Sequence, residues 1–82
     1  MNRQRIFELI VLHAREVIPA LEDRHVRFED SLKALGANSI DRSEIVMMTL
    51  ASLSASIPLI EFARAENIGG LADIIHGKLQ VA

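Results

Sequence analysis

The sequence predicts an all-α fold: a small antiparallel bundle of three main helices and one short helix, with a long loop after the first. Three observations predict it. Three segments carry apolar residues three and four positions apart, the spacing that gathers them on one helical face. The turn formers Pro19, Gly36, Pro58 and Gly69 fall at the borders of those segments rather than within them. Only residues 24–28 alternate as a strand would, and that stretch is too short to stand without a second strand beside it.

The first helix is expected over residues 3–18. Ile6, Leu9, Ile10 and Val17 line its apolar face with His13 between them, and Asn2 can cap it. Pro19 closes it, because the residue before a proline avoids the α region. Residues 20–37 lose the period and read as a loop tied to the core by Val26, Phe28, Leu32 and Leu35, with room for a helical turn from Ser31. Loops beyond roughly 15 residues are uncommon in compact domains and are often functional. The second helix is expected over residues 39–55, with Ile45, Leu50 and Leu53 turned inward. A short helix over residues 60–65 follows Pro58. Asn67 can cap the last helix, residues 69–80, whose core positions are Leu71, Ile74, Ile75 and Leu79. The Gly69-Gly70 pair would weaken a helix interior, so it belongs in the first turn, at a close approach to a neighbour.

Residues 1–82 read as a single domain, and at this size the core is small. With no cysteine, the 50% apolar fraction must supply the stability. The absence of cysteine and of a secretory apolar region fits a cytoplasmic setting. The longest apolar run of the amino terminus, Leu9-Ile10-Val11-Leu12, is far too short to span a membrane. Nine Lys and Arg against eleven Asp and Glu give a net charge of −2, without a basic block, tyrosine or tryptophan. That argues against a nucleic-acid partner, which needs phosphate-neutralising patches.

Chemistry is sparse. His13, His25 and His76 share no ligand spacing, so no metal site is expected. The acidic pairs Glu22-Asp23 and Glu29-Asp30 lie in the long loop, where solvated charge is the ordinary explanation. No catalytic residue is expected, and so small a bundle has little room to enclose a substrate.

One stretch remains, Leu35-Gly36-Ala37-Asn38-Ser39-Ile40-Asp41-Arg42-Ser43-Glu44-Ile45. Asn38 is a good helix cap, and Asp41 can return its hydrogen bond. On the plainer reading Ser39 is only the first helical residue. On the sharper one its hydroxyl stands at a helix mouth, where an attached phosphate ester would be favoured. Nothing in the sequence activates it as a nucleophile: no histidine is near, and the G-x-S-x-G elbow is absent. Ser39 is suited to receiving a group.

The stretch from Gly36 to Asp41 resembles the attachment motif of acyl carrier proteins, in which Gly, any residue, Asp, Ser, Leu and often Asp open the second helix. The resemblance extends over nearly the whole chain: Leu32 and Leu35 before the motif, Glu44, Ile45, Val46 and Met47 after it, Ile57-Pro58, and the final helix. It implies a non-catalytic monomeric carrier. A phosphopantetheinyl transferase would attach 4'-phosphopantetheine from coenzyme A to Ser39, and acyl groups would ride on the arm as thioesters. Partner recognition would fall to Ile40, Asp41, Arg42, Glu44 and Met47. Met48 is equally suited to the core or to a partner.

Two departures stand out. Asn38 replaces the usual aspartate, which keeps a cap and removes a charge. Leu50-Ala51-Ser52 replaces the usual acidic run, which weakens steering by negative charge. An uncharged second helix with this motif is similar to the discrete donor carriers of polyketide β-branching cassettes. That similarity implies an acetyl cargo, an acyl-loading or decarboxylating enzyme, and an HMG-synthase-like partner. The alternatives are an unmodified helical interaction module and a peptidyl carrier.

Overall fold

The computed structural model describes residues 2–80. Its helices are α1 (Arg3–Val17), α2 (Ser39–Ser52) and α3 (Ile68–Gln80), joined by 3-10 turns at Pro19–Leu21 and Leu59–Phe62, with no strand among the described residues. The fold is all-helical, and its single core lies where α1 packs against both α2 and α3.

Asn2 caps α1 by accepting the Arg5 amide at 2.8 Å. Ile18 ends the helix at φ −124° and ψ 87°, the extended backbone that Pro19 imposes. The buried face of α1 is Ile6, Phe7, Ile10, Val11 and Ala14, turned from the expected stripe so that Leu9 and Val17 are only partly covered and Leu12 is exposed. The cause is the four-residue apolar run, in which periodicity alone cannot choose a face. His13 sits at the edge of this face. It is hydrogen-bonded through Nδ1 to Glu16 Oε1 at 2.6 Å and through Nε2 to Ser52 Oγ at 2.8 Å, joining α1 to the end of α2.

The long connection is well tied. Val26 and Leu32 are buried and Phe28 and Leu35 partly so. Arg15 donates to the Leu21 and Arg24 carbonyls at 3.2 and 2.9 Å. Phe28 stacks on Phe7 with ring centroids 4.1 Å apart, and the Arg3 guanidinium lies 4.3 Å over its centroid. The turn expected from Ser31 exists as hydrogen bonds from Leu35 N to Ser31 O and from Ala37 N to Leu32 O, but it does not extend into a helix.

α1 and α3 lie within one residue of their expected bounds, and two elements differ by more. α2 stops at Ser52 rather than residue 55, because Ser54 takes φ 51° and Ala55 N returns to Leu50 O at 2.9 Å, a left-handed cap. The short helix expected over 60–65 is instead a 3-10 turn, with Glu61 N donating to Pro58 O and Ala63 N to Ile60 O. α3 opens on Asn67, whose Oδ1 accepts the Gly70 amide at 2.7 Å. Its next free amides reach back to the loop: Ile68 N to Asp30 O at 2.9 Å and Gly69 N to Phe28 O at 2.7 Å. Leu71 and Ile75 are buried as expected and Ile74 partly, whereas Leu79, in the final turn, is exposed. Apolar spacing identifies a face but not how far the neighbours extend along it. Ile6, Ile10, Ile45, Ile68 and Ile75 are fully buried, each contributing roughly 1.5–3 kcal/mol of burial.

Candidate functional site

The loop delivers the chain to α2 in four steps. Gly36 takes φ 108°, a left-handed backbone that suits glycine, and turns the chain. Ala37 is buried and anchors the turn to the core. Asn38 is extended, and its Oδ1 accepts the Asp41 amide at 2.8 Å while the Asp41 carboxylate accepts the Asn38 amide at 3.3 Å, a complete capping box. Arg42 donates to the Ala37 carbonyl at 2.8 Å and closes the corner.

These bonds leave Ser39 exposed in the first turn of α2, and its hydroxyl has no hydrogen-bond partner among the described residues. Among the described residues no side chain hydrogen-bonds to it and so none is placed to take its proton. Chemically it is an open oxygen on a rigid corner.

Ser39 lies between two hollows. One is a cleft of about 480 Å³ between the loop, α2, the Leu59–Phe62 turn and the start of α3. Its apolar lining includes Leu32, Val46, Phe62 and Leu71, and its charged lining residues are Lys33, Arg42 and Glu66. The other is a shallow depression of about 620 Å³ on the outer face of α2, lined by Ser39, Ile40, Ser43, Glu44, Met47, Met48 and Ala51. Ile40 is 75% exposed and Met47 56% exposed, an unusual degree for large apolar side chains.

The five residues expected to recognise partners therefore divide. Ile40, Glu44 and Met47 share the outer face with Ser39. Asp41 is engaged in the cap, and Arg42 lines the cleft. Met48, undecided from sequence, is half-buried at the edge of the depression. Ser43 joins both hollows and is legible as the neighbour of Ser39 one helical turn on. Lys33 and Glu66 carry no such signal, since only the folding of the loop and of α3 brings them near Ser39.

No family model matches the sequence. The polyketide biosynthesis acyl-carrier-protein AcpK of Bacillus subtilis (strain 168) is 45% identical over 82 residues, the full length of both chains. A chain of the crystal structure of the curacin biosynthetic pathway HMG synthase in complex with acetyl donor-ACP superposes with a TM-score of 0.90 and 44% identity, over 94% of this chain and 99% of that one. By identity along its whole length and by fold, the chain belongs to the acyl carrier proteins of polyketide biosynthesis, carriers rather than enzymes.

Proposed function

We propose that Ser39 carries the 4'-phosphopantetheine arm that the family implies, and that the protein presents acetyl to an HMG-synthase-like enzyme in polyketide β-branching. The observation that carries this reading is the uncommitted Ser39 hydroxyl. Asn38 and Asp41 satisfy the helix start between them, so the oxygen is exposed, rigidly held and free for a phosphopantetheinyl transferase to use. The arm supplies a thiol on which acyl groups are held as thioesters. The chain's own residues supply attachment, orientation and recognition.

The outer face of α2 supports the choice of partner. Ile40, Met47, Met48 and Ala51 form an apolar surface whose one charged border residue is Glu44, suited to contact by shape rather than by charge steering. The similar solved structure is a complex of an HMG synthase with an acetyl donor-ACP. An acyl-loading or decarboxylating enzyme would supply the acetyl group upstream.

The test has two stages. Incubation with coenzyme A, magnesium and a broad-specificity phosphopantetheinyl transferase is expected to add the mass of the arm, and Ser39→Ala to abolish the gain. No gain would return the protein to the unmodified interaction module. The acetyl-loaded protein is then offered to an HMG synthase of a β-branching system, beside a generic fatty-acid carrier. Equal donation by the two would sink the acetyl-donor reading. Loading by an amino-acid-activating enzyme instead would favour a peptidyl carrier.

A further inference from the structure

The charges around Ser39 are unevenly placed. On the cleft side stand Lys33 and Arg42, and among the described residues neither pairs with a carboxylate. The one acid on the cleft lining, Glu66, comes from the segment leading into α3. The outer depression has a single charged residue, Glu44. Two cations to one anion therefore line the cleft and one anion lines the outer face, while Asp41, close to Ser39 in sequence, is held on the Asn38 amide and lines neither.

Arg42 is well placed to act on a group at Ser39. It follows Ser39 by three residues on the same helix, which puts the two Cβ atoms roughly 5–6 Å apart. It is half-buried, and one guanidinium nitrogen is fixed on the Ala37 carbonyl at 2.8 Å. The remaining N–H groups of that planar fork suit a phosphate oxygen pair, and fixing the fork in advance lowers the entropy lost on binding. Lys33 comes from the turn that Gly36 ends and adds a mobile point charge on the same lining.

Given the arm on Ser39 proposed above, we infer that Arg42 and Lys33 hold its phosphodiester on the cleft side and so lay the arm toward Val46, Phe62 and Leu71. They are positioning residues. A phosphodiester carries one negative charge, which a guanidinium and an ammonium can match, whereas the outer side, whose one charged lining residue is Glu44, offers it no cation. The outer face of α2 then remains open for a partner while the thioester rests away from bulk water.

The experiment is phosphorus NMR on the purified holo protein, with arm attachment first confirmed by intact mass. The variants are Lys33→Gln, Arg42→Gln and, as a charge control on α1 outside the cleft, Arg5→Gln. The folded wild type is expected to show a phosphorus resonance displaced from its position in the same protein unfolded in urea. Lys33→Gln and Arg42→Gln should each move it toward the unfolded position and weaken the Overhauser contacts between the pantetheine methyls and Val46 or Leu71. Arg5→Gln should leave both unchanged. Added salt should move the wild-type resonance as the variants do, since exposed charge contacts are screened. A resonance insensitive to both substitutions and to salt overturns the inference, even if Arg42→Gln lowers the melting temperature, and leaves the carrier reading standing. Failure of the arm to attach overturns both.

Discussion

Gly69 donates its amide proton to the Phe28 carbonyl at 2.7 Å, and a Cβ on Gly69 would stand 3.0 Å from that same oxygen and 3.3 Å from Phe28 Cβ. The start of α3 and the long loop are thus in backbone contact, with Phe28 held in turn by Phe7 and Arg3. This contact ties the loop that gives Leu32 and Lys33 to the cleft lining to the helix that gives it Leu71.

Gly69→Ala is therefore expected to destabilise the fold. The Arg3 tip, also 3.0 Å from the built Cβ, can swing away, but the Phe28 carbonyl is backbone and cannot. Overpacking of this kind costs about 1–3 kcal/mol, against a helix-propensity gain of at most about 1 kcal/mol. Gly77→Ala, with nothing within 4 Å of the built Cβ, should instead stabilise α3 by roughly 0.5–1 kcal/mol. Urea unfolding of the two variants measures both. Equal stabilisation by the two would refute the close approach.

Asn38 should tolerate aspartate but not alanine. Asn38→Ala removes the acceptor for the Asp41 amide and is expected to cost about 1 kcal/mol. Asn38→Asp keeps an acceptor oxygen and should stay within about 0.5 kcal/mol of wild type, its gain at the helix start set against repulsion from Asp41. Thermal unfolding separates the cases. A loss with aspartate as large as with alanine would mean that the Asn38 amide donates a bond the capping box does not include.

What was legible in the sequence follows from the range of the interactions. Caps and stops are local, so Asn2, Pro19, Asn38 with Asp41, and Asn67 all appear where the sequence predicts them. Gly69 and Gly70 are similarly readable, because two poor helix formers opening a helix imply a neighbour at close range. The face of α1 was not readable, since Leu9 to Leu12 are all apolar and only the positions of α2 and α3 decide that Val11 is buried and Leu12 exposed. At the site, Ser39 and its cap are local and clear. The cleft is not, because Lys33, Phe62 and Glu66 share its lining with Ser39 only once the loop before α2 and the segment leading into α3 have folded against each other.

The end of α2 offers an independent check on backbone strain. Ser54 holds φ 51°, which costs a residue with a Cβ roughly 1–2 kcal/mol, while the extra freedom of an unfolded glycine costs roughly 0.5–1 kcal/mol. Ser54→Gly should thus stabilise the protein by about 0.5 kcal/mol or somewhat more. Gly36 has the converse geometry at φ 108°, with no atom within 4 Å of a built Cβ. Gly36→Ala should accordingly lose about 1 kcal/mol through the backbone alone. Chemical denaturation reports both, and destabilisation by Ser54→Gly would contradict the left-handed cap.

The outer face of α2 makes the last prediction. Ile40 and Met47 are largely exposed and outside the core, so Ile40→Ala and Met47→Ala should change stability by less than about 0.5 kcal/mol, as for ordinary surface positions. Buried against a partner, each side chain would be worth about 1.5–3 kcal/mol, or roughly tenfold or more in transfer rate at low carrier concentration, since 1.4 kcal/mol is a factor of ten. Glu44→Gln, at the border of the patch, should do less and act mainly on the salt dependence of association. The measurement is kcat/KM for acetyl transfer from each holo variant, loaded with acetyl beforehand, to an HMG synthase of a β-branching system. Preparing the loaded protein first separates this docking step from attachment of the arm. If Met47→Ala and Ile40→Ala donate as fast as the wild type, the partner engages another face, and the exposed apolar pair must serve a different contact.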